Sequence, residues 1–201
     1  MLAADSAGTR VTGLRAQRML FWPARNPVIT FCGRYAESTG ETARWQDTMK
    51  LADYLGKEDI LPCLIAATKD DVLAELSMAL EQRHPSLAEE DVLLVLTERE
   101  RLGSTGIGDG IAIPHGKLRH SGDLVLLFAR SCAGVPFGSL DARPVQLFFV
   151  LLAPQNAAGL HLKMLARISR LLKDPVVRRD LIAAPDAETL YATIMLQDDR
   201  H

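Results

Sequence analysis

Two long apolar runs, Leu124–Ala129 and Val145–Leu152, in which Gln146 is the one polar residue, constrain the fold of this chain more than any other feature. A strand with one wet face alternates apolar and polar residues. A strand without that alternation is buried on both faces. Turn signals bound the runs: Ser121-Gly122-Asp123 before the first, Asp141-Ala142-Arg143-Pro144 before the second and Pro154 after it, with Val135-Pro136-Phe137-Gly138 as a turn between them. A sheet covered on both sides needs helices above and below it.

The remaining segments supply those helices. Met49–Leu55 is a short amphipathic piece, and Ile60–Ala66 reads as a first strand. Thr68 is placed to cap a helix whose apolar residues Val72, Leu73, Leu76, Ala79 and Leu80 recur at helical spacing. His84-Pro85 ends it, because the residue before proline avoids the α region; His84 is read as a helix-end residue. Ser86-Leu87-Ala88-Glu89 has the pattern of a capping box, so the next helix is expected from there to about Arg101. Leu160–Lys173 is amphipathic, with Leu160, Met164, Leu165, Ile168, Leu171 and Leu172 on one face. Asp174-Pro175 opens a short helix, and Asp186–Met195 forms the last. The expected fold class is α/β: a three-layer α/β/α sandwich with a small mixed sheet and helices on both faces.

Residues 1–48 differ from the rest. Arg10, Arg15, Arg18, Arg25, Arg34 and Arg44 come with few acids and poor periodicity. The expectation is a disordered basic tail or a non-native extension, Met49 being an alternative start; an organelle transit peptide shares the Arg-rich, acid-poor bias. The domain itself is expected to span 49–196. A net charge of −2 gives no general attraction to nucleic acid or to anionic membrane, and no apolar run is long enough for a membrane span. Cys32, Cys63 and Cys132 are widely spaced and form no C-x-x-C pair. Reduced thiols in a cytoplasm are therefore expected, without a disulfide framework or a cysteine metal site.

The chemistry is concentrated in Gly103–Lys117, GSTGIGDGIAIPHGK, which holds five glycines. Glycine at that density marks sharp bends or a close approach to the backbone. Ile111, Ala112 and Ile113 read as a short buried strand that Pro114 cannot extend. His115 is then expected where the strand ends in a rigid turn, with Gly116 leaving one side of it uncrowded. A reactive imidazole and an incidental histidine in a glycine-rich loop are both compatible with this stretch.

A neutral imidazole has one nucleophilic nitrogen and can hold a phosphoryl group. Such transfer needs in-line placement and neutralised phosphoryl oxygens. The loop amides, the Ser104 and Thr105 hydroxyls and the Arg99 guanidinium could supply the donors. By itself, though, Arg99 is equally a cation at a helix C-terminus. His161, on the apolar side of the first turn of its helix, is either a core histidine or placed where anions are welcome. A metal site would draw on His115, His120 and Asp109, but no H-E-x-x-H spacing is present, and His120 reads as an exposed turn residue. A serine nucleophile would need a G-x-S-x-G elbow, which is absent.

The stretch GSTGIGDGIAIPHGK resembles the phosphorylation-site motif of enzyme IIA domains of the fructose/mannitol type in the bacterial phosphoenolpyruvate-dependent phosphotransferase system. Within that group it resembles the nitrogen-related, regulatory IIA proteins, and the similarity extends from about Met49 to about Met195. The resemblance implies that His115 is the phospho-accepting residue, that Arg99 is a helper arginine and that His161 is a second active-site histidine. It also implies that Ser104, Thr105 and Gly116 form the phosphate loop. Asp109 stands where many relatives have an amide, and an acid there is expected to face solvent. The implied donor is a phosphohistidine on a small HPr-like carrier, with kinases or transporters as regulatory targets and no metal or nucleotide cofactor. The alternative role is a sugar-transport IIA component that passes phosphate to a IIB domain.

Overall fold

The two apolar runs are neighbouring antiparallel strands at the centre of one mixed sheet. The computed structural model describes residues 49–119 and 122–200; the expectations for residues 1–48, Cys32 and His120 lie outside them. In chain order the strands are β1 (Ile60–Leu61), β2 (Gly106–Gly108), β3 (Ile111–Ala112), β4 (His115–Leu118), β5 (Val125–Val135) and β6 (Val145–Pro154). The helices are α1 (Lys69–Arg83), α2 (Glu89–Arg101), α3 (Ala158–Lys173), α4 (Pro175–Ala183) and α5 (Ala187–Asp198). β1 runs parallel to β5, β3 and β4 run parallel to β6, and β2 is antiparallel to β3.

The apolar run of β6 resolves into two interleaved faces. Leu147, Phe149 and Leu151 enter one core with Met164, Ile168 and Leu172 of α3 and residues of α4 and α5. Phe148, Val150 and Leu152 enter the other, with Val72, Leu76 and Leu80 of α1 and Val92 and Leu96 of α2. Successive strand residues point to opposite faces, so an apolar run without alternation is what a doubly covered strand requires. The described residues form the three-layer α/β/α sandwich that the runs imply. The aromatic pairs follow the layers: Phe128 and Phe149 pack edge-on at 5.7 Å in the first core, Phe137 and Phe148 at 5.3 Å in the second.

Several local expectations hold. The Thr68 hydroxyl accepts from the Asp71 amide at the start of α1, and His84 closes that helix. Asp174 caps α4 with Pro175 in its first turn, and Asp186 caps α5. Others change. The first strand stops at Leu61, although the Leu64 amide still reaches the Arg130 carbonyl (2.7 Å). The capping box does not form: the Leu87 amide turns back to the His84 carbonyl, and α2 starts at Glu89 behind Ala88. β5 continues past Ala129 through the buried Arg130, whose guanidinium donates to the carbonyls of Pro62, Leu181, Ile182 and Ala184. The cation is thereby satisfied at the C-terminal end of α4, where positive charge is favoured.

Pro114 does not end the strand in a turn. β3 and β4 pair with β6 in one continuous register, from Ile111 opposite Leu147 to His115 opposite Leu151 and Leu118 opposite Pro154. Pro114 has no amide hydrogen to give the ladder, but its carbonyl accepts from Leu151 (3.0 Å), and the chain resumes as β4. His115 is therefore the first residue of a strand.

Candidate active site

Three side chains from three layers meet at His115. Register places its ring on the face of Leu151, towards α3. Among the described residues β4 pairs with β6 alone, so its outer side is a sheet edge. Arg99 reaches that edge from the last turn of α2 on one face of the sheet. His161 reaches it from the first turn of α3 on the other. The two histidine rings lie 5.4 Å apart, tilted by 59°.

The hydrogen bonds of His115 define its tautomer. Nδ1 lies 2.7 Å from the carbonyl oxygen of Ile113, which can only accept, so Nδ1 carries the proton. Nε2 then holds the lone pair and accepts from Arg99 Nε at 3.0 Å. Arg99 is held in turn by a bond from Nη1 to the Gly103 carbonyl (2.9 Å). Burial, aided by the Arg99 charge, keeps the His115 imidazole below its ordinary pKa, and it is neutral at pH 7. Half-buried, with one nitrogen locked as a donor and the other free to share its electrons, it is suited to nucleophilic attack.

His161 is buried, 6 % exposed, and its Nδ1 has no hydrogen-bond partner. Burial, then the neighbouring His115, Lys117 and Arg99, push its pKa down to about 4. An unfolded histidine takes a proton near about pH 6.5. The stability that the neutral ring contributes is thus full above about pH 6.5 and is lost as the pH falls through about 4. Replacing His161 by glutamine is expected to make the protein less acid-sensitive, by about 2–3 kcal/mol between pH 7 and about pH 4 relative to wild type. Denaturant titrations of both proteins at the two pH values test this; parallel losses would contradict it.

The loop residues are arranged differently from the expectation. Thr105 is buried, and both its amide and its hydroxyl donate to Glu100 Oε2 at 2.7 Å. Ser104 Oγ accepts from the Gly106 amide (3.1 Å). The Thr105 donors are thus occupied within the protein. Glu100 and Lys69, 2.8 Å apart, are members of this network that sequence reasoning missed. Burial alone would raise the Glu100 carboxyl, but Lys69 and Thr105 outweigh it and hold the pKa below the usual range. One signal was available: a carboxylate in the last turn of a helix faces the negative end of the dipole and needs a compensating partner. The network pins the start of the glycine loop to the turn that carries Arg99.

Gly116 is buried beneath α2. A Cβ there would lie 2.1 Å from Cγ1 of Val95, which packs on β4 from α2. Val95 is one helical turn before Arg99, and in a helix its χ1 is confined to one rotamer. Gly116→Ala is expected to destabilise the protein by about 1–3 kcal/mol and to move Arg99 off His115. Adding Val95→Ala is expected to restore most of that stability in denaturation midpoints; no recovery would show that the crowding lies elsewhere.

Asp109 lies in the β2–β3 turn with a positive φ of 54°, between two glycines. Its carboxylate is solvent-facing and sits 3.3 Å from Arg178 of α4, as expected of an acid kept away from an anion. Among the described residues no group of three or more His, Cys, Asp or Glu could hold a metal ion. Among them, too, no helix is long and apolar enough to cross a membrane.

This geometry has relatives. The family described as "Phosphoenolpyruvate-dependent sugar phosphotransferase system, EIIA 2" matches residues 53–196. The chain is similar to a nitrogen regulatory protein of Bradyrhizobium diazoefficiens, 43% identical over 148 residues that cover 74% of this chain and 96% of that protein. It is also similar, at 33% identity over 76% of its length, to a fructose-specific EIIABC component of Bacillus subtilis, of which the match covers 24%. The crystal structure of nitrogen regulatory protein IIA-Ntr from Neisseria meningitidis superposes with a TM-score of 0.68 at 33% identity, covering 72% of this chain and 98% of that one. A match over most of the folded residues, at this identity and with this fold, leaves one assignment: the chain belongs to the EIIA type 2 family of the phosphoenolpyruvate-dependent sugar phosphotransferase system.

Proposed function

We propose that this chain is a histidine phosphocarrier of the nitrogen-regulatory type, its working domain spanning residues 49–196. It takes a phosphoryl group from a phosphohistidine on a small HPr-like carrier and signals its phosphorylation state to target proteins such as kinases or transporters. The observation that carries this reading is the pair of bonds on His115, Nδ1–H to the Ile113 carbonyl and Arg99 to Nε2. They prepare one nucleophilic nitrogen beside a permanent cation. In the transfer, the Nε2 lone pair forms a bond to phosphorus while the donor's P–N bond breaks and its ring recovers the electron pair. Arg99 moves from Nε2 to a phosphoryl oxygen, and the unpartnered Nδ1 edge of His161 meets another. Phosphorylation adds about −1.5 to −2 charges at the sheet edge, enough to change which surface binds there.

A second reading has the similarity to the fructose-specific component in its favour: a sugar-transport IIA that hands phosphate to a IIB domain. The nitrogen-regulatory relative is matched at higher identity and over nearly its whole length, which favours the first. The test is labelling of the purified chain by phosphoenolpyruvate with the upstream carrier proteins, then addition of a purified fructose- or mannitol-type IIB domain. Stable label, with partner binding that depends on phosphorylation, is expected. Rapid passage of the label to IIB would favour the second reading, and no labelling would overturn both.

A further inference from the structure

Cys63 and Cys132 stand together at the surface, 3.3 Å apart at Sγ, with neither in a disulfide. We propose that they form a modification site: a dithiol that hydroperoxides oxidise reversibly to an intramolecular disulfide. The site lies apart from His115, and the inference does not rest on the phosphocarrier reading.

The backbone is already set for the bond. Cys63 follows β1, which pairs with β5, and the Leu64 amide donates to the Arg130 carbonyl at 2.7 Å. The two segments therefore run at strand spacing, about 4.8 Å, inside the Cα separations that disulfides span. Cys132 sits in the bulge between Arg130 and Val135, where the Gly134 amide closes back on Ser131 Oγ (3.1 Å). The strand register shifts across this bulge, from Arg130 opposite Leu147 to Val135 opposite Val145, and the Cys132 side chain is exposed. The sulfurs need to close by roughly 1.3 Å to reach bonding distance, a change that side-chain rotation supplies. The site is remote from the phosphoryl chemistry. Leu126 of β5 and His115 both pair with Leu151, and Cys132 lies six residues further along β5, about 20 Å away.

In the reaction, one thiolate attacks an oxygen of the hydroperoxide. The O–O bond breaks and leaves a sulfenic acid, with water or an alcohol as the by-product. The second thiolate attacks that sulfur, the S–O bond breaks and water leaves. Two sulfurs give up two electrons in total, and the peroxide is reduced. The S–H···S contact with Cys132 raises the Cys63 thiol above its ordinary value, so oxidation is slow at neutral pH and is best followed near about pH 8.5.

The experiment treats the full chain, in a Cys32→Ser background, with hydrogen peroxide and follows intact mass, non-reducing peptide maps and thermal unfolding. The expected result is a loss of two hydrogens, a peptide pair linked through 63 and 132, a higher melting temperature and full reversal by dithiothreitol. Neither the link nor the melting shift is expected in Cys63→Ser or Cys132→Ser. Oxygen addition at either cysteine without a 63–132 link would overturn the proposal, as would intermolecular dimers in its place.

Discussion

Replacing His115 by glutamine is expected to remove phosphoryl incorporation altogether, a fall of at least about 10⁴-fold. The glutamine carbonyl can still accept from Arg99, so the loop is left supported. The amide nitrogen, however, has no free electron pair to give to phosphorus. Because His115 is half-buried and its ring hydrogen-bonds only to Arg99 and the Ile113 carbonyl among the described residues, the melting temperature is expected to change little. Labelling that persists in the variant would place the acceptor elsewhere, and His161 would be the first residue to test.

Arg99→Ala is expected to slow phosphoryl acceptance by about 10²–10³-fold while the domain stays folded. Loss of one donor aimed at developing charge has that scale in other enzymes. Arg99 holds two positions at once, Nε on His115 and Nη1 on the Gly103 carbonyl. Lysine has a single ammonium on a flexible stem and cannot reproduce that fork. Arg99→Lys is therefore expected to recover only part of the rate. The assay is single-turnover transfer from a phosphorylated carrier. An unchanged rate in Arg99→Ala would reduce the residue to a helix-end charge.

Much of the architecture could be read from residue pattern because burial leaves a direct trace. The apolar runs required a sheet covered on both faces, and the caps at Thr68, Asp174 and Asp186 located three helix starts. The glycine-rich stretch pointed to His115, but local chemistry left Arg99 and His161 undecided. Each looks ordinary in its own helix, and only the crossing of three layers at a sheet edge brings them together. What stayed hidden depends on long-range partners. Arg130 interrupts the apolar run yet lies inside the strand, because four carbonyls from distant segments surround it. The Ser86 capping signal lost to the burial of Leu87, which draws that turn into the core. Gly116 reads in the sequence as relieving crowding beside His115, and the space that its missing Cβ leaves is filled by Val95. Thr105 looked like a phosphate donor and is committed to Glu100.

The central claim is that Nε2 of His115 carries the phosphoryl group while Nδ1 keeps its proton on the Ile113 carbonyl. The most direct measurement is NMR of the phosphorylated chain labelled with ¹⁵N-histidine, reading which ring nitrogen couples to ³¹P. Coupling at Nε2 of His115, with Nδ1 still protonated, is the predicted result. Phosphorus on Nδ1, or on any other residue, would contradict it.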